Sequence, residues 1–233
     1  MSVELLRELL MGVLGLEVPA DRLEKAPYEV FYDAVSQYGF STVYEVYREA
    51  GYEPPRAIAS VKVALTGQGR VGKTSLCMRY SEGRYVEGTK STIGVAIGSK
   101  LEVVDDVLAR VIIWDHAGQD QYRTVRKMFY RGSLTTLLVY DVSRRDSFEA
   151  VEEFKREILE SEPRSEIILV GNKIDLPRVV TTEEGRAKAG EIGAIGFYET
   201  SAKTGQNVRE VFLAALRNTL RRMKAEGKIR YYV

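Results

Sequence analysis

Gly67–Ser75, GQGRVGKTS, decides how this chain reads. The stretch follows the β-branched run SVKVALT (Ser60–Thr66) and opens the helical stretch KTSLCMRY (Lys73–Tyr80). Strand, glycine-rich loop and helix, in that order, is the context in which G-x-x-x-x-G-K-[ST] wraps a phosphate. Gly67 and Gly72 let backbone amides converge on an anion, and the helix N-terminus adds partial positive charge. Lys73 is placed to reach the β and γ phosphates, and the Thr74 hydroxyl to bind Mg²⁺. Kinases, ATP-driven motors and guanine-nucleotide switches all carry such a loop. By itself it does not choose among them.

The choice comes from VGNKID, Val170–Asp175, at the end of the apolar run EIILV. A carboxylate at Asp175 accepts two hydrogen bonds from the N1–H and 2-amino group of guanine. Adenine faces it with a lone pair and has no 2-amino donor. Sites built this way discriminate by about 10⁴ or more, because the rejected base leaves a buried polar group unpaired. Asn172 contacts the base and braces the loop, while the aliphatic stem of Lys173 stacks on the ring. A lone NKxD is common in loops after strands. Here it is followed by ETSAK, Glu199–Lys203, after another short strand, and the combination is far more specific.

GQGRVGKTS, STIG (Ser91–Gly94), WDHAGQDQYR (Trp114–Arg123), FYRGSLTTLLVYDVSRRDSFEAVEEF (Phe129–Phe154), GNKID and ETSAK occur in one order. In that order the chain resembles a Ras-superfamily small GTPase, with wording closest to the Rab branch, over about residues 58–225. The resemblance implies binding of GTP and GDP with Mg²⁺, slow hydrolysis, and partners of three kinds: an effector, an exchange factor and a GTPase-activating protein. It implies that Gly67, Gly69, Gly72, Lys73, Thr74 and Ser75 hold the phosphates, with Lys73 also counted as catalytic. Thr92 matches the threonine that meets Mg²⁺ only when the γ phosphate is present. Tyr85 falls where the family sets an aromatic ring against the guanine. Asp115 holds Mg²⁺ through water, the Gly118 amide meets the γ phosphate, and Gln119 orients the attacking water. Ser201, Ala202 and Lys203 line the base, with the Ala202 amide toward the guanine O6. The alternative is a nucleotide-locked scaffold that hydrolyses GTP negligibly; intact Gln119 and Thr92 argue against it.

Around these motifs, SVKVALTG, ARVIIWD, LTTLLVYD and EIILVGN read as strands separated by helices, hence βαβ units. The expected fold is α/β: a small G domain with a six-stranded, mostly parallel sheet and helices on both faces. VAIGSKLEVV and VLARVIIW, joined at Asp105-Asp106, read as an antiparallel hairpin at its edge. Pro54 and Pro55 mark a boundary between a helical extension, residues 1–56, and the GTPase domain, residues 57–233. In the extension Leu5, Leu6, Leu9, Leu10 and Val13 form one apolar stripe, and two short helices part near Gly39. Residues 1–56 carry ten acids and five bases, net −5 against +6 for the remainder. Docking of the extension on the GTPase domain covers the stripe and is electrostatically favourable.

A net charge of +1 supplies no global field toward nucleic acid. No apolar run reaches the ~18 residues of a membrane span. The N-terminus lacks a secretory pattern, position 2 is Ser, and KIRYYV offers no cysteine for prenylation. The expectation is a cytoplasmic protein without a lipid anchor. Arg70 stands where such loops usually have Gly, and its side chain is expected to face solvent. His116, the one histidine, has no neighbouring His or Cys with which to form a metal site. Cys77, the one cysteine, is expected in the core rather than as a nucleophile.

Overall fold

The computed structural model describes residues 2–87, 95–116 and 123–232. Four helices come first: α1 (Val3–Leu14), α2 (Ala20–Lys25), α3 (Pro27–Tyr38) and α4 (Phe40–Glu49). Then follow β1 (Ala57–Thr66), α5 (Lys73–Glu82), β2 (Val95–Val104), β3 (Val107–His116), α6 (Arg123–Tyr130) and β4 (Thr135–Asp141). The chain continues through α7 (Arg145–Glu149), α8 (Val151–Ser161), β5 (Glu166–Asn172), α9 (Thr182–Glu191), β6 (Gly196–Thr200) and α10 (Val208–Ala225).

The strands form one six-stranded sheet in the order β2-β3-β1-β4-β5-β6. β1 pairs in parallel with β4, β4 with β5, and β5 with β6. The neighbours β2 and β3 are joined by the two-residue turn at Asp105 and Asp106. So short a link joins only antiparallel strands. Hence the expected hairpin and the mostly parallel sheet are both present.

The chain divides into two compact units, and the division falls within β1, β2 and β3. The larger unit holds Val61–Lys100 and Val111–Glu226. Every residue of β4 is buried, as a central parallel strand requires. Alternation sends Leu138 and Tyr140 to one face, where Phe148, Phe154, Ile158, Leu169 and Ile192 join them in a core. On the other face Thr135 Oγ1 accepts from Asn218 Nδ2 at 3.0 Å and shares a 2.9 Å hydrogen bond with Thr219 Oγ1, both on α10. Tyr80 of α5 stacks on Phe212 of α10 with centroids 4.2 Å apart. Cys77, on α5, is buried, and burial pushes its thiol up to about 12, so it is core and not a nucleophile at neutral pH.

The second unit holds the residues through Ser60, Leu101–Arg110 and the residues from Gly227 on. Ser2 caps α1 by accepting from the Leu5 amide at 3.2 Å, and Gly15, at φ 66°, ends it by donating to Leu10 O and Met11 O. Leu6 and Leu10, one turn apart, are fully buried with Leu23, Phe31, Val43, Tyr47 and Leu108. The stripe on α1 is therefore narrower than its five residues suggest: Leu5 and Val13 are 40% and 56% exposed. At 3.6 residues per turn only the i, i+4 pair faces inward throughout. Phe31 meets Tyr47 edge-on at 5.0 Å, and the Tyr47 hydroxyl donates to Pro27 O at 2.8 Å. Ile58, Leu101 and Val103 pack on the same cluster. The tail lies against it: Ala57 bridges antiparallel to Tyr231, and Tyr232 stacks on Phe40 at 4.3 Å.

Candidate nucleotide site

Ligands of open parallel sheets bind beyond the carboxyl ends of the strands, where the order reverses. The loops after β1, β4, β5 and β6 lie at those ends, and they carry most of the residues singled out above. The loop after β1 is fixed by two positions that admit only glycine. Gly67 has φ 131°, and a Cβ there would lie 2.0 Å from Val139 O. Gly72 has φ 95°, and a Cβ there would lie 2.4 Å from Asn172 Nδ2. Gly72 gives α5 no side-chain cap, and the N-terminus of a helix is a place where an anion is favoured.

Lys73 is 6% exposed, and its Nζ donates to Gly67 O and Gln68 O, each at 2.8 Å, bridging the start of the loop. Thr74 Oγ1 donates to Asp115 Oδ2 at 2.6 Å. Asp115 lies at the end of β3 and is fully buried. The two side chains thus place a hydroxyl and a carboxylate oxygen together beside the phosphate loop. Hard oxygen donors of this kind fit Mg²⁺, which takes one or two protein oxygens and completes its octahedron with water and phosphate. Among the described residues no cluster of three His, Cys, Asp or Glu offers a competing metal cage.

Asn172, fully buried at the end of β5, joins two loops. Its Nδ2 donates to Val71 O at 2.9 Å, and its Oδ1 accepts from Thr200 Oγ1 at 3.1 Å and from the Ala202 amide at 3.3 Å. Lys173, at φ 69°, sends its Nζ to Arg70 O at 2.8 Å and to Asp141 Oδ2 at 2.7 Å. Asp175 is oriented by Ser201, whose Oγ donates to Asp175 Oδ1 at 2.5 Å. That hydroxyl in turn accepts from the Thr204 amide at 3.1 Å, which turns its proton toward the carboxylate.

The structure therefore gathers Gly67, Gly69, Gly72, Lys73, Thr74, Ser75, Asp115, Asn172, Lys173, Asp175, Ser201, Ala202 and Lys203 around linked loops. Tyr85 is half-buried in the segment after α5. Thr92, Gly118 and Gln119 lie outside the described residues. Arg70 is exposed, at φ 67°, a left-handed conformation that explains why a glycine suits this place.

Three further residues hold the site and escaped the sequence reading. Asp141, buried at the end of β4, accepts from Ser143 N at 2.9 Å and Ser143 Oγ at 2.6 Å besides pairing with Lys173. Arg144 donates to Gly69 O at 2.9 Å and to Gln68 Oε1 at 2.7 Å. Arg79, on the helix that Lys73 opens, donates to Ala202 O at 2.8 Å and Lys203 O at 2.6 Å. Asp141 and Arg144 stand in VYDVSRRDSF, a stretch that carried the resemblance with no role attached to either residue.

A glycine-rich loop of the phosphate-binding pattern, joined by Asn172 and Lys173 to the NKxD loop, is the arrangement expected of a guanine-nucleotide-binding protein of the P-loop type. The Ras family model matches residues 62–221. Over 159 residues the chain is 40% identical to Ras-related protein Rab-5A of Dictyostelium discoideum, covering 67% of this chain and 79% of that one. It is 40% identical to GTP-binding protein Rab-3D of Rattus norvegicus over 65% of this chain and 70% of that one. It is 39% identical to GTP-binding protein yptV2 of Volvox carteri over 72% and 79%. The chain belongs to the Ras family, as a small GTPase of Rab type. It is a molecular switch that binds GTP and GDP with Mg²⁺ and hydrolyses GTP, and its partners are nucleotide and the regulators of such switches. The nucleotide-locked scaffold is not favoured. Among the described residues no helix is long and apolar enough to cross a membrane.

Proposed function

We propose that the switch is worked by the residues named from the sequence. The phosphates lie in the Gly67–Ser75 loop with Lys73 against the β and γ groups. Guanine is read by Asp175, with Asn172, Lys173, Ser201, Ala202, Lys203 and Tyr85 around it. Thr74 and Asp115, joined by Thr92 in the GTP state, hold Mg²⁺, which neutralises phosphate charge when bound. Gln119 orients the attacking water; Thr92 and the Gly118 amide sense the γ phosphate and are released when it leaves. The observation that carries this reading is the pair Thr74–Asp115 beside the phosphate loop and the pair Ser201–Asp175 in the loops after β5 and β6, with Asn172 joining those loops. The test is to identify the nucleotide released on denaturation and then follow a single turnover of GTP. Guanine nucleotide and an unaided rate of order 10⁻⁴ to 10⁻² s⁻¹ are expected. Gln119→Leu should slow that turnover at least about tenfold with GTP binding intact. Equal affinity for ATP overturns the assignment.

The same reading makes residues 1–56 an extension of the GTPase domain, residues 57–233, docked on its β2–β3 hairpin. It is supported by the single core that Leu6, Leu10, Phe31 and Tyr47 share with Leu101, Val103 and Leu108. The Arg110 guanidinium also lies over the Tyr32 ring, 5.9 Å from its centroid. Leu10→Asp puts an unpaired charge into that core and should raise hydrogen exchange across Leu101–Arg110. Unchanged exchange there contradicts docking. We place the protein in the cytoplasm, where GTP and the regulators of such switches are found.

A further inference from the structure

Three successive carbonyl oxygens of the phosphate loop are each held by a different side chain. Gly69 O accepts from Arg144 Nη1 at 2.9 Å, Arg70 O from Lys173 Nζ at 2.8 Å, and Val71 O from Asn172 Nδ2 at 2.9 Å. In a planar trans peptide the carbonyl and the next N–H point to opposite sides. Fixing these carbonyls therefore fixes the directions of the Arg70, Val71 and Gly72 amides. The positive φ values of Arg70 and Gly72, 67° and 95°, are those of a backbone nest that turns amides toward one anion.

Asn172 and Lys173 belong to the base-reading motif. Arg144 does not; it comes from the loop after β4. We propose that Arg144 is a positioning residue for the phosphates of the bound guanine nucleotide, holding the Gly69–Arg70 peptide so that the Arg70 amide faces them. This rests on the nucleotide reading above. The guanidinium is itself anchored: Asp146 accepts from its Nε at 3.2 Å and its Nη2 at 2.5 Å, and Nη2 also donates to Gln68 Oε1 at 2.7 Å. The hydrogen bond from Arg144 holds the Asp146 carboxyl below its usual range, so the pair stays ionised at neutral pH. One planar fork thus meets a carboxylate and two loop acceptors together, which a single ammonium does not reproduce.

The experiment uses the full chain loaded with GDP in saturating Mg²⁺. It compares the parent with Arg144→Ala, Arg144→Lys and Asp146→Asn, reading release of a fluorescent GDP and the ³¹P spectrum of bound GDP. Arg144→Ala should speed release about tenfold, the effect of one lost charge-assisted hydrogen bond, and shift the β-phosphate resonance. Arg144→Lys should stay within about threefold of Arg144→Ala, and Asp146→Asn should fall between parent and Arg144→Ala. Release within about twofold of the parent in Arg144→Ala overturns the proposal. Faster release with an unmoved phosphorus spectrum also overturns it, because the loss then lies elsewhere than the phosphates. If Arg144→Ala does not fold, the other two variants carry the same readouts. A parent that binds no guanine nucleotide overturns the underlying reading instead.

Discussion

Asn172 Nδ2 lies 2.9 Å from Val71 O, so one buried side chain ties the loop proposed to read the base to the loop proposed to wrap the phosphates. Its Oδ1 holds Thr200 and Ala202 at the same time. Asn172→Ala should therefore weaken GDP binding by two powers of ten or more, about 3 kcal/mol, since three buried groups lose a partner. The loss should be the same size for any purine diphosphate whose base still fits. Isothermal titration with GDP and with inosine diphosphate measures it. A loss confined to GDP would show that the residue acts only on the base.

Asp175 should behave differently, because Ser201 orients its carboxylate without touching the phosphate loop. Asp175→Asn replaces an acceptor pair by a donor and an acceptor. It should exchange guanine preference for xanthine, with a switch of about 10⁴ in the ratio of affinities. Competition between GDP and xanthosine diphosphate reads this directly. Retained guanine preference would remove Asp175 from base recognition.

Arg70 sits at φ 67°, where an L side chain costs about 1–2 kcal/mol and glycine costs about 0.5–1 kcal/mol in unfolded-state entropy. Arg70→Gly should stabilise the GDP-bound protein by roughly 0.5–1 kcal/mol in urea unfolding. The carbonyl that Lys173 holds is retained, so GTP turnover should stay within about twofold of the parent. A tenfold fall would give the Arg70 side chain a role in hydrolysis.

Glu184 carries the pH prediction. Arg145 grips its carboxylate at 2.8 and 3.3 Å, and the Thr181 amide donates to it at 2.8 Å, closing a capping box on α9. First the Arg145 bond and then the Thr181 bond hold its carboxyl down to about 2. A depressed folded pKa stabilises the fold above the unfolded value. That contribution is therefore complete above about pH 4.3 and is lost as pH falls toward 2. Carbon NMR titration should find the Glu184 midpoint near pH 2 and, in Arg145→Ala, closer to the ordinary value. An ordinary midpoint in the parent would mean that the ion pair is not held in solution.

Chemistry was easier to read from the sequence than the scaffolding around it. Lys73, Thr74 and Asp175 stand out because the roles proposed for them, toward phosphate, Mg²⁺ and guanine, each demand a residue type at a set place in a strand–loop–helix pattern. Asp141, Arg144 and Arg79 bind backbone or side chains that lie far off in the chain, and many residue types hold a carbonyl. Nothing local marks them. The strands and the hairpin were legible from β-branched runs and Asp105-Asp106. Periodicity on α1 found the right helix but overstated its buried face, since Leu5 and Val13 flank the Leu6–Leu10 seam. Nor does any pattern in residues 1–56 say that Leu108 joins their core or that Tyr232 stacks on Phe40 at its edge.

That last feature bears on how the polypeptide is made. The unit built on α1–α4 takes its closing pieces from residues 101–110 and from the tail, where Tyr231 bridges to Ala57. Synthesis runs from the N-terminus at about 5–20 residues per second, so roughly ten seconds or more separate Ala57 from Tyr231 at the ribosome. During that interval the helices lack the bridge to Ala57 and the stack on Phe40 that Tyr231 and Tyr232 supply. Contacts so distant in sequence close late and slowly. A nascent chain stalled before Tyr231 therefore leaves the Phe40 ring, buried in the finished chain, more open to chaperones and proteases.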